Sequence, residues 1–316
     1  MLALAISGFA LGCGVRASLA LMTDQESNPS TITTASAWDT VAPTVVDSVV
    51  SKNSPYYPGF VGQGSPYFIY ANVTDAGTPT SGVNTVTVNA SSFDTGQTAV
   101  ALVVGSYSIG GVSYNYRSTQ HGTTGTLAAG SYTYPIVAID VAGNSATQSG
   151  FSVTVDNTKP SAVDVQTTNA GVAGQPGIGD TITYTYSEII DPDSVLAGWT
   201  GASTNVVLRV AGNAGGDRVT IRNAANSAQL PFGTVDLVGL NYVTLTRDFG
   251  ASGTPSTMVA VGNTIVITLG TASGAVGTES VANNMDWSPV AGAHDRADNS
   301  CAVTDAIESG TLDLDF

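Results

Sequence analysis

Two short motifs each occur twice in this 316-residue chain, and their order constrains the fold more than any other feature. The front motif, residues 43–47 (PTVVD), returns at residues 160–164 (PSAVD). The back motif, residues 138–145 (AIDVAGNS), returns at residues 293–300 (AHDRADNS). Front and back motifs in alternation indicate two similar modules placed end to end. The second module is longer between its motifs, so we expect an insertion there, at residues 195–289.

Alternating apolar and polar residues predict β-strands in both modules. In residues 181–186 (TITYTY) every second side chain is apolar or aromatic, which is typical of a sandwich strand with one buried face. Turn residues recur between such stretches, and no helical pattern persists for three turns. The expected fold is therefore all-β, with two tandem Greek-key β-sandwiches. The same alternation predicts strands at residues 67–73, 83–90, 151–155, 206–210, 242–246, 264–269 and 311–316.

The composition limits the partners that the chain can have. Only 10% of the residues are charged, against about 25% in ordinary soluble domains. Acidic residues number 24 and basic residues 9, which gives a net charge of −15. Lysine occurs only at Lys52 and Lys159. No basic cluster is present to follow a phosphate backbone, so we expect no nucleic-acid partner.

The back motif and the residues after it resemble the end of a bacterial immunoglobulin-like domain. The resemblance rests on the Asp-x-Ala-Gly-Asn turn at 140–144, the strand at 151–155 and the junction at 156–160. Residues 179–188 (GDTITYTYSE) look like the early strand of the immunoglobulin-like modules of S-layer and other surface proteins. The resemblance covers residues 42–316. It implies stalks, adhesins or lattice parts without choosing among them.

These patterns divide the chain into four segments. Residues 2–15 form an apolar run, and the sequence ASLA follows at residues 17–20. This pattern predicts an export signal at residues 1–20 and the only expected contact with a membrane, with a retained N-terminal anchor as the alternative. Residues 21–41 are expected to be an extended N-terminal segment. Immunoglobulin-like domain 1 is placed at residues 42–157, and domain 2 with its insertion at residues 158–316. We expect the mature protein to be secreted and to lie at the cell surface.

The segment before domain 1 carries a second, shorter resemblance. The apolar leader followed by residues 21–27 (LMTDQES) is similar to the start of TasA/camelysin-type biofilm-fibre proteins, although Met22 replaces the family's aromatic residue. In that family the leader is cut and the new N-terminus becomes an extended strand. Residues 31–38 (TITTASAW) have strand propensity, so we expect them to pair with the next copy of the chain, with Ile32 and Trp38 as anchors. A head-to-tail contact of this kind generates a filament.

Residues suited to catalysis are scarce, and we expect the protein not to be an enzyme. A nucleophilic triad needs a histidine, and only His121 and His294 exist. We interpret His121 as a loop residue and His294 as a residue of a sandwich strand. The densest group of carboxylates, Glu188, Asp191 and Asp193, is interpreted as the end of a strand that enters a turn.

Calcium binding is a better hypothesis than catalysis for the acidic residues of this chain. This ion takes six to eight oxygen ligands from carboxylates, amides and backbone carbonyls. Asp75 ends a strand, Asp140 and Asn144 lie in the back-motif turn, and Asp156 lies at the linker. If turn and linker share one pole of the domain, these four residues would hold calcium and clip the domains together. The alternative is that they only make turn hydrogen bonds.

Aromatic residues concentrate ahead of the first long strand. Tyr56, Tyr57 and Phe60 are candidates for an interface with a neighbouring subunit or a sugar. The alternative is a proline-stiffened loop above the core of domain 1. Cys301 is interpreted as a small buried residue, with an intersubunit disulfide as the alternative.

The function expected from these features is structural. The chain would be a subunit of an extracellular bacterial filament or surface layer that assembles with copies of itself by strand donation. The alternative is a secreted adhesin or carbohydrate-binding protein that contacts a glycan or a host surface. Both alternatives use the same fold, so the fold cannot choose between them.

Overall fold

The computed structural model describes residues 38–316. Residues 44–155 build a first β-sandwich and residues 162–307 a second. The expected fold of two tandem β-sandwiches is confirmed. No helix in the described part of the chain is long and apolar enough to cross a membrane.

The first sandwich consists of nine strands. They are β1 (Thr44–Ser51), β2 (Phe60–Val61), β3 (Pro66–Thr74), β4 (Val83–Val88), β5 (Val100–Ile109), β6 (Val112–Ser118), β7 (His121–Gly122), β8 (Gly130–Asp140) and β9 (Ser145–Val155).

The strand order of the first sandwich is that of an immunoglobulin domain. One hydrogen-bonded path runs β1-β3-β6-β5-β4-β8-β9-β2. Leaving out the two-residue strands β2 and β7, the first, second, fifth and fourth strands form one layer and the third, sixth and seventh form the other, as in constant-type immunoglobulin domains. The neighbours β3 and β6 are not consecutive, which is the Greek-key connection. Ile69 of β3 and Ile136 of β8 belong to one buried core between the layers.

The second sandwich contains ten strands and one helical turn. They are β10 (Ala162–Thr168), β11 (Thr181–Tyr186), α1 (Pro192–Val195), β12 (Thr204–Ala211), β13 (Arg218–Asn223), β14 (Thr234–Asp236), β15 (Arg247–Phe249), β16 (Ser256–Val261), β17 (Thr264–Thr268), β18 (Asp286–Ser288) and β19 (Ala306–Ile307).

The insertion lengthens the second sandwich without changing its first layer. The path is β10-β11-β17-β16-β12-β13-β14-β18-β19, with β15 beside β12. Its first four strands repeat the layer order of the first sandwich, whereas β13 and β14 separate β12 from β18. The core around Trp287 and Tyr184 is the larger of the two main cores. The insertion therefore widens one layer and supplies additional core residues.

Two predicted strands are wrong. Residues 242–246 contain no strand, and residues 311–316 contain only a single bridge residue, Asp313, opposite Asn283. In both segments apolar residues are buried through side-chain contacts rather than through a sheet: Phe316 is buried, and the Tyr242 hydroxyl donates a hydrogen bond to Asp315 Oδ2 at 3.2 Å. Leu245 and Leu312, which complete the two alternating patterns, are exposed, so the alternation in these segments marks neither strand pairing nor a buried face.

The two sandwiches touch through a polar junction. Lys52 of domain 1 is 2% exposed and its ammonium lies 2.5 Å from Asp191 Oδ2 of domain 2. The guanidinium of Arg296 lies 4.4 Å from the ring centre of Phe60. Gly62 lets the two backbones approach closely, because a Cβ atom at this position would lie only 3.0 Å from the carbonyl oxygen of Ala297.

Candidate metal centres

The first candidate centre lies at the pole of domain 1 where the chain enters the sandwich. Carboxylate oxygens of Asp39, Asp75 and Asp140 all lie within 4.8 Å of one another. Asp39 precedes β1, Asp75 follows β3, and Asp140 ends β8. Asn144 ties the group together, because its amide nitrogen donates to Asp140 Oδ2 at 2.7 Å and to the carbonyl oxygen of Asp39 at 3.1 Å. We call these four residues the pole cluster.

The second candidate centre occupies the equivalent place in domain 2, which is the junction between the sandwiches. Carboxylate oxygens of Asp156, Glu188 and Asp295 lie within 4.8 Å of one another. Asn299 donates from its amide nitrogen to Asp295 Oδ2 and to the carbonyl oxygen of Asp156, both at 2.8 Å. These four residues form the junction cluster. It repeats the hydrogen-bond pattern of the pole cluster.

Each cluster leaves one carboxylate oxygen without a partner. Asp75 Oδ1 and Glu188 Oε1 are buried, and neither has a hydrogen-bond partner in residues 38–316. The two residues hold equivalent positions after the second main strand of each sandwich. A buried polar oxygen left unpaired carries a desolvation cost of about 1–3 kcal/mol. The same carboxylate oxygen is thus unpaired at equivalent positions of the two domains.

The clustered carboxylates also lack ion-pair partners within residues 38–316. Among residues 38–316, five pairs of side chains lie within ion-pair distance, and none involves any of the six clustered carboxylates. In the junction cluster, burial and the neighbouring Asp295 and Asp156 carboxylates raise the pKa of Glu188 to about 7. Burial also raises the pKa of Asp295. In the pole cluster, hydrogen bonds from Ser81 and Val41 lower the pKa of Asp39.

The donor set fits a hard cation. Three carboxylates with free oxygen lone pairs, and with no sulfur or imidazole ligand among them, match the preference of Ca²⁺ for oxygen. Such an ion would neutralise the carboxylates and give the unpartnered oxygens a ligand bond.

The structure redistributes the four residues predicted to bind calcium. Asp75, Asp140 and Asn144 lie together in the pole cluster, whereas Asp156 belongs to the junction cluster. Asn144 faces its neighbours with its amide nitrogen, so it orients the carboxylates instead of adding a ligand oxygen. Sequence reasoning missed Asp39 as a member of the pole cluster.

A signal for the missing residue was present in the front motif. Asp39 and Asp156 each lie four residues before the motif proline, at Pro43 and Pro160. Extending the repeat backward by four residues would have placed each aspartate with the domain that follows it. Glu188 occupies the position of domain 2 that is equivalent to Asp75. Because it is a glutamate and not an aspartate, the repeat does not reveal this equivalence, and the sequence indicates only a turn.

The predicted interface residues have mixed surroundings. Ile32 lies outside the described residues, and Trp38 is 80% exposed. Tyr56, Tyr57 and Phe60 are half-buried. Phe60 contacts Arg296 across the junction, and burial together with the Asp191 carboxylate raises the pKa of Tyr57. At least part of this aromatic stretch therefore serves the contact between the two domains.

The remaining candidate residues have local partners. His121 lies in the short strand β7 rather than in a loop. His294 Nδ1 lies 2.7 Å from Asp298 Oδ1, inside the back-motif turn. Cys301 is a buried free thiol whose pKa burial raises to about 11.

A third acidic group differs from the two clusters. Glu308, Asp313 and Asp315 offer oxygens within 4.8 Å of one another. Here the buried Asp315 carboxylate accepts hydrogen bonds from Tyr242 and Thr167. Burial and the nearby Glu308 raise the pKa of Asp315 to about 7. Both oxygens of the Asp315 carboxylate have hydrogen-bond donors, and this distinguishes the third group from the two clusters.

Comparison with known proteins adds little to this geometry. No family model matches the chain, and no curated protein matches it. Among solved structures, the chain is similar to the fibronectin(III)-like modules of Clostridium thermocellum CbhA. The identity is 14%, the match covers 82% of this chain and 92% of that chain, and the TM-score is 0.27. A likeness this distant carries no argument about function, so the immunoglobulin-like fold rests on the strand order described above.

Proposed function

We propose that this chain is a structural subunit of an extracellular bacterial filament or surface layer, with a mechanical rather than a catalytic role. The observation that carries the proposal is the domain junction, where a buried ion pair, a cation–π contact and an acidic cluster join two sandwiches. Tandem domains joined by a loose linker would move independently. A junction built this way instead transmits force from one domain to the next.

Calcium is the proposed ligand of both clusters. At the junction cluster the ion would bind Asp156 of the linker together with Glu188 and Asp295 of domain 2. It would thereby fix the linker against the second sandwich. At the pole cluster the ion would fix Asp39, and with it the segment that precedes domain 1, in the same way.

Strand donation is the proposed route of assembly, and it needs an open sheet edge. Strand β5 pairs with β4 only from Val100 to Leu102, although its other side pairs with β6 as far as Ile109. Beyond Leu102 the side of β5 that faced β4 has no partner strand within residues 38–316. Val103 and Val104 are exposed there. We propose that residues 31–38 of a neighbouring copy pair with this edge.

Deletion of the donor segment tests the assembly proposal. A chain lacking residues 21–37 keeps Asp39 and should remain a folded monomer, whereas the full mature chain should form regular fibres by negative-stain electron microscopy. Fibres formed by the deleted chain would refute strand donation. Dispersed particles of the full chain that bind glycans would favour the adhesin alternative.

A point variant separates the acceptor edge from general surface effects. Val104→Lys places a charge on the open edge of β5, which blocks strand addition, and should prevent fibres. Val303→Lys makes the same change at an equally exposed valine outside any strand, and should leave fibres intact. Equal assembly by both variants would exclude the β5 edge as the acceptor.

A further inference from the structure

One of the two lysines of this chain is buried at the domain junction. Lys159 is exposed, as expected of lysine, whereas Lys52 is 2% exposed. Lysine is almost never fully buried without a partner. The Lys52 ammonium lies 2.5 Å from Asp191 Oδ2, and the two side chains are 3% and 2% exposed. A chain this poor in lysine thus places one lysine amine directly against a carboxyl group of the other domain.

Both reacting groups are held in place. The Lys52 ammonium also donates to the carbonyl oxygen of Asp295 at 3.0 Å, which fixes its direction. Asp191 caps α1, and its Oδ1 accepts a hydrogen bond from the backbone N–H of Asp193 at 3.1 Å. The backbone N–H of Asp191 in turn donates to the carbonyl oxygen of His294 at 2.8 Å. The amine and the carboxyl group are therefore oriented by bonds on three sides.

We propose that Lys52 and Asp191 condense to an amide bond that links the two domains covalently. The ammonium first gives a proton to the carboxylate, which leaves a neutral amine beside a neutral acid. Lys52 Nζ then attacks Asp191 Cγ, the new N–C bond forms, and one C–O bond breaks. The oxygen leaves with the two hydrogens lost by nitrogen, as one water molecule. The reaction needs no oxidant, reductant or other co-reactant.

The site supplies the main conditions for this reaction. Holding two reactants in contact gives effective concentrations on the order of 10⁵ M or more, which favours an amide that free amines and carboxylates do not form in water. The Asp193 N–H is aimed at the oxygen that becomes negative when nitrogen attacks, so it stabilises that charge. A cleft of about 260 Å³, lined by Lys52 and Asp191, gives the released water a way out.

The crosslink does not depend on the metal proposal. The side chain of Asp295 belongs to the junction cluster, but Lys52 contacts only its backbone carbonyl oxygen. An amide would join residue 52 to residue 191 and close a loop through the linker. Force applied to the ends of the two sandwiches would then pass through a covalent bond at the junction.

Mass spectrometry of the full-length purified protein tests the proposal directly. The condensed chain should weigh about 18 Da less than its sequence, the mass of one water. After denaturation, trypsin should fail to cut after Lys52, and the peptide that carries Lys52 should be found joined to the one that ends at Arg209. Fragmentation of the joined peptide should place the bond at Lys52 and Asp191.

Variants decide what an observed mass loss means. Lys52→Arg keeps the positive charge and should restore the full mass, as should Asp191→Ala. Lys159→Arg changes the exposed lysine and should leave the mass loss unchanged. A wild-type protein of full sequence mass that is cut normally after Lys52 would overturn the proposal and leave a simple ion pair. Persistence of the loss in Lys52→Arg would overturn it equally.

Discussion

The pole cluster and the junction cluster use the same hydrogen bonds in two different settings. At the pole of domain 1, Asp39 lies ahead of the first strand and bonds to the exposed loop around Ser81. At the junction, Asp156 lies between the sandwiches and its carbonyl oxygen accepts from Asn299. The same motif therefore lies where the chain enters one domain and at the contact between domains in the other.

The difference appears in the electrostatics. Hydrogen bonds from the neighbouring loop keep the pKa of Asp39 below its usual value. At the junction, burial and like charges raise the pKa of Glu188 to about 7. The repeated motif thus gives the two clusters the same arrangement of carboxylates. The surroundings of each cluster decide whether the pKa of its carboxyl groups is lowered or raised. A cation should relieve the junction cluster more than the pole cluster.

The largest expected effect concerns the buried pair Lys52 and Asp191, which lies at the junction and has no counterpart at the pole cluster. Lys52→Ala removes the buried partner of Asp191, whether ion-paired or condensed with it, and leaves the Asp191 carboxylate uncompensated, which should lower the free energy of unfolding by about 3–5 kcal/mol. Lys159→Ala should change it by less than about 0.5 kcal/mol, since that side chain is exposed. Urea unfolding followed by tryptophan fluorescence measures both. Equal effects of the two variants would show that the junction lysine has no special role.

The third acidic group should give the next largest effect, because burial raises the pKa of its Asp315 carboxyl group. The pKa of Asp315 is about 7 in the folded protein and about 3.9 in an unfolded chain. The folded state thus binds the extra proton between these values, so stability should fall as pH rises from about 4 to 7, by on the order of 1 kcal/mol per pH unit.

Asp315→Asn tests this assignment, because it keeps the size of the side chain and removes the titration. Thermal melts from pH 4 to pH 8 should show a weaker decline in the melting temperature for the variant than for the wild type. An unchanged decline would assign the proton to another group. Asp305→Asn, at an exposed acid outside the group, is the control.

Calcium should produce a somewhat smaller change that distinguishes the two clusters. An ion present at about 100 times its Kd stabilises a folded protein by about 2.7 kcal/mol. Glu188→Gln should remove more of the calcium-dependent rise in melting temperature than Asp75→Asn, since the junction cluster carries the more costly charges. Both variants should melt close to the wild type in chelator. A larger loss in Asp75→Asn would reverse the ranking of the clusters.

The smallest expected effect comes from the back-motif turns themselves. Gly143 and Asp298 hold equivalent positions with φ of +93° and +75°. A Cβ at Gly143 would have open space around it, so Gly143→Ala should cost only the backbone strain, about 1–2 kcal/mol. Asp298→Gly relieves that strain but removes the contact with His294, and its net effect should be below about 1 kcal/mol. Urea unfolding of both variants checks the sign of each.

Much of the fold was predictable because the alternation that marks a strand lies within a few consecutive residues. Residues 181–186 alternate in sequence, and β11 occupies the same six positions. Tyr242 and Phe316 show the limit of this reasoning, since each is buried outside any strand. Leu245 and Leu312 in the same two segments are exposed. Alternation alone therefore establishes neither a buried face nor a neighbouring strand, and the tertiary structure decides both.

The candidate centres were only partly predictable because they combine residues that are distant in sequence. Asp140 and Asn144 share one turn, so their proximity follows from the motif. Asp156 follows β9 directly, so a boundary after residue 157 places it in domain 1. Its cluster partners, Glu188 and Asp295, both belong to domain 2. The burial of Lys52 was invisible in the sequence, because nothing near it indicates that Asp191 faces it.

Calcium titration of a chain of residues 21–316 by isothermal calorimetry tests the central claim, that one motif builds two equivalent cation sites. We expect two calcium ions per wild-type chain, one for Glu188→Gln, one for Asp75→Asn and none for the double variant. A wild-type chain that binds no calcium, or one whose stoichiometry neither substitution changes, would contradict the account.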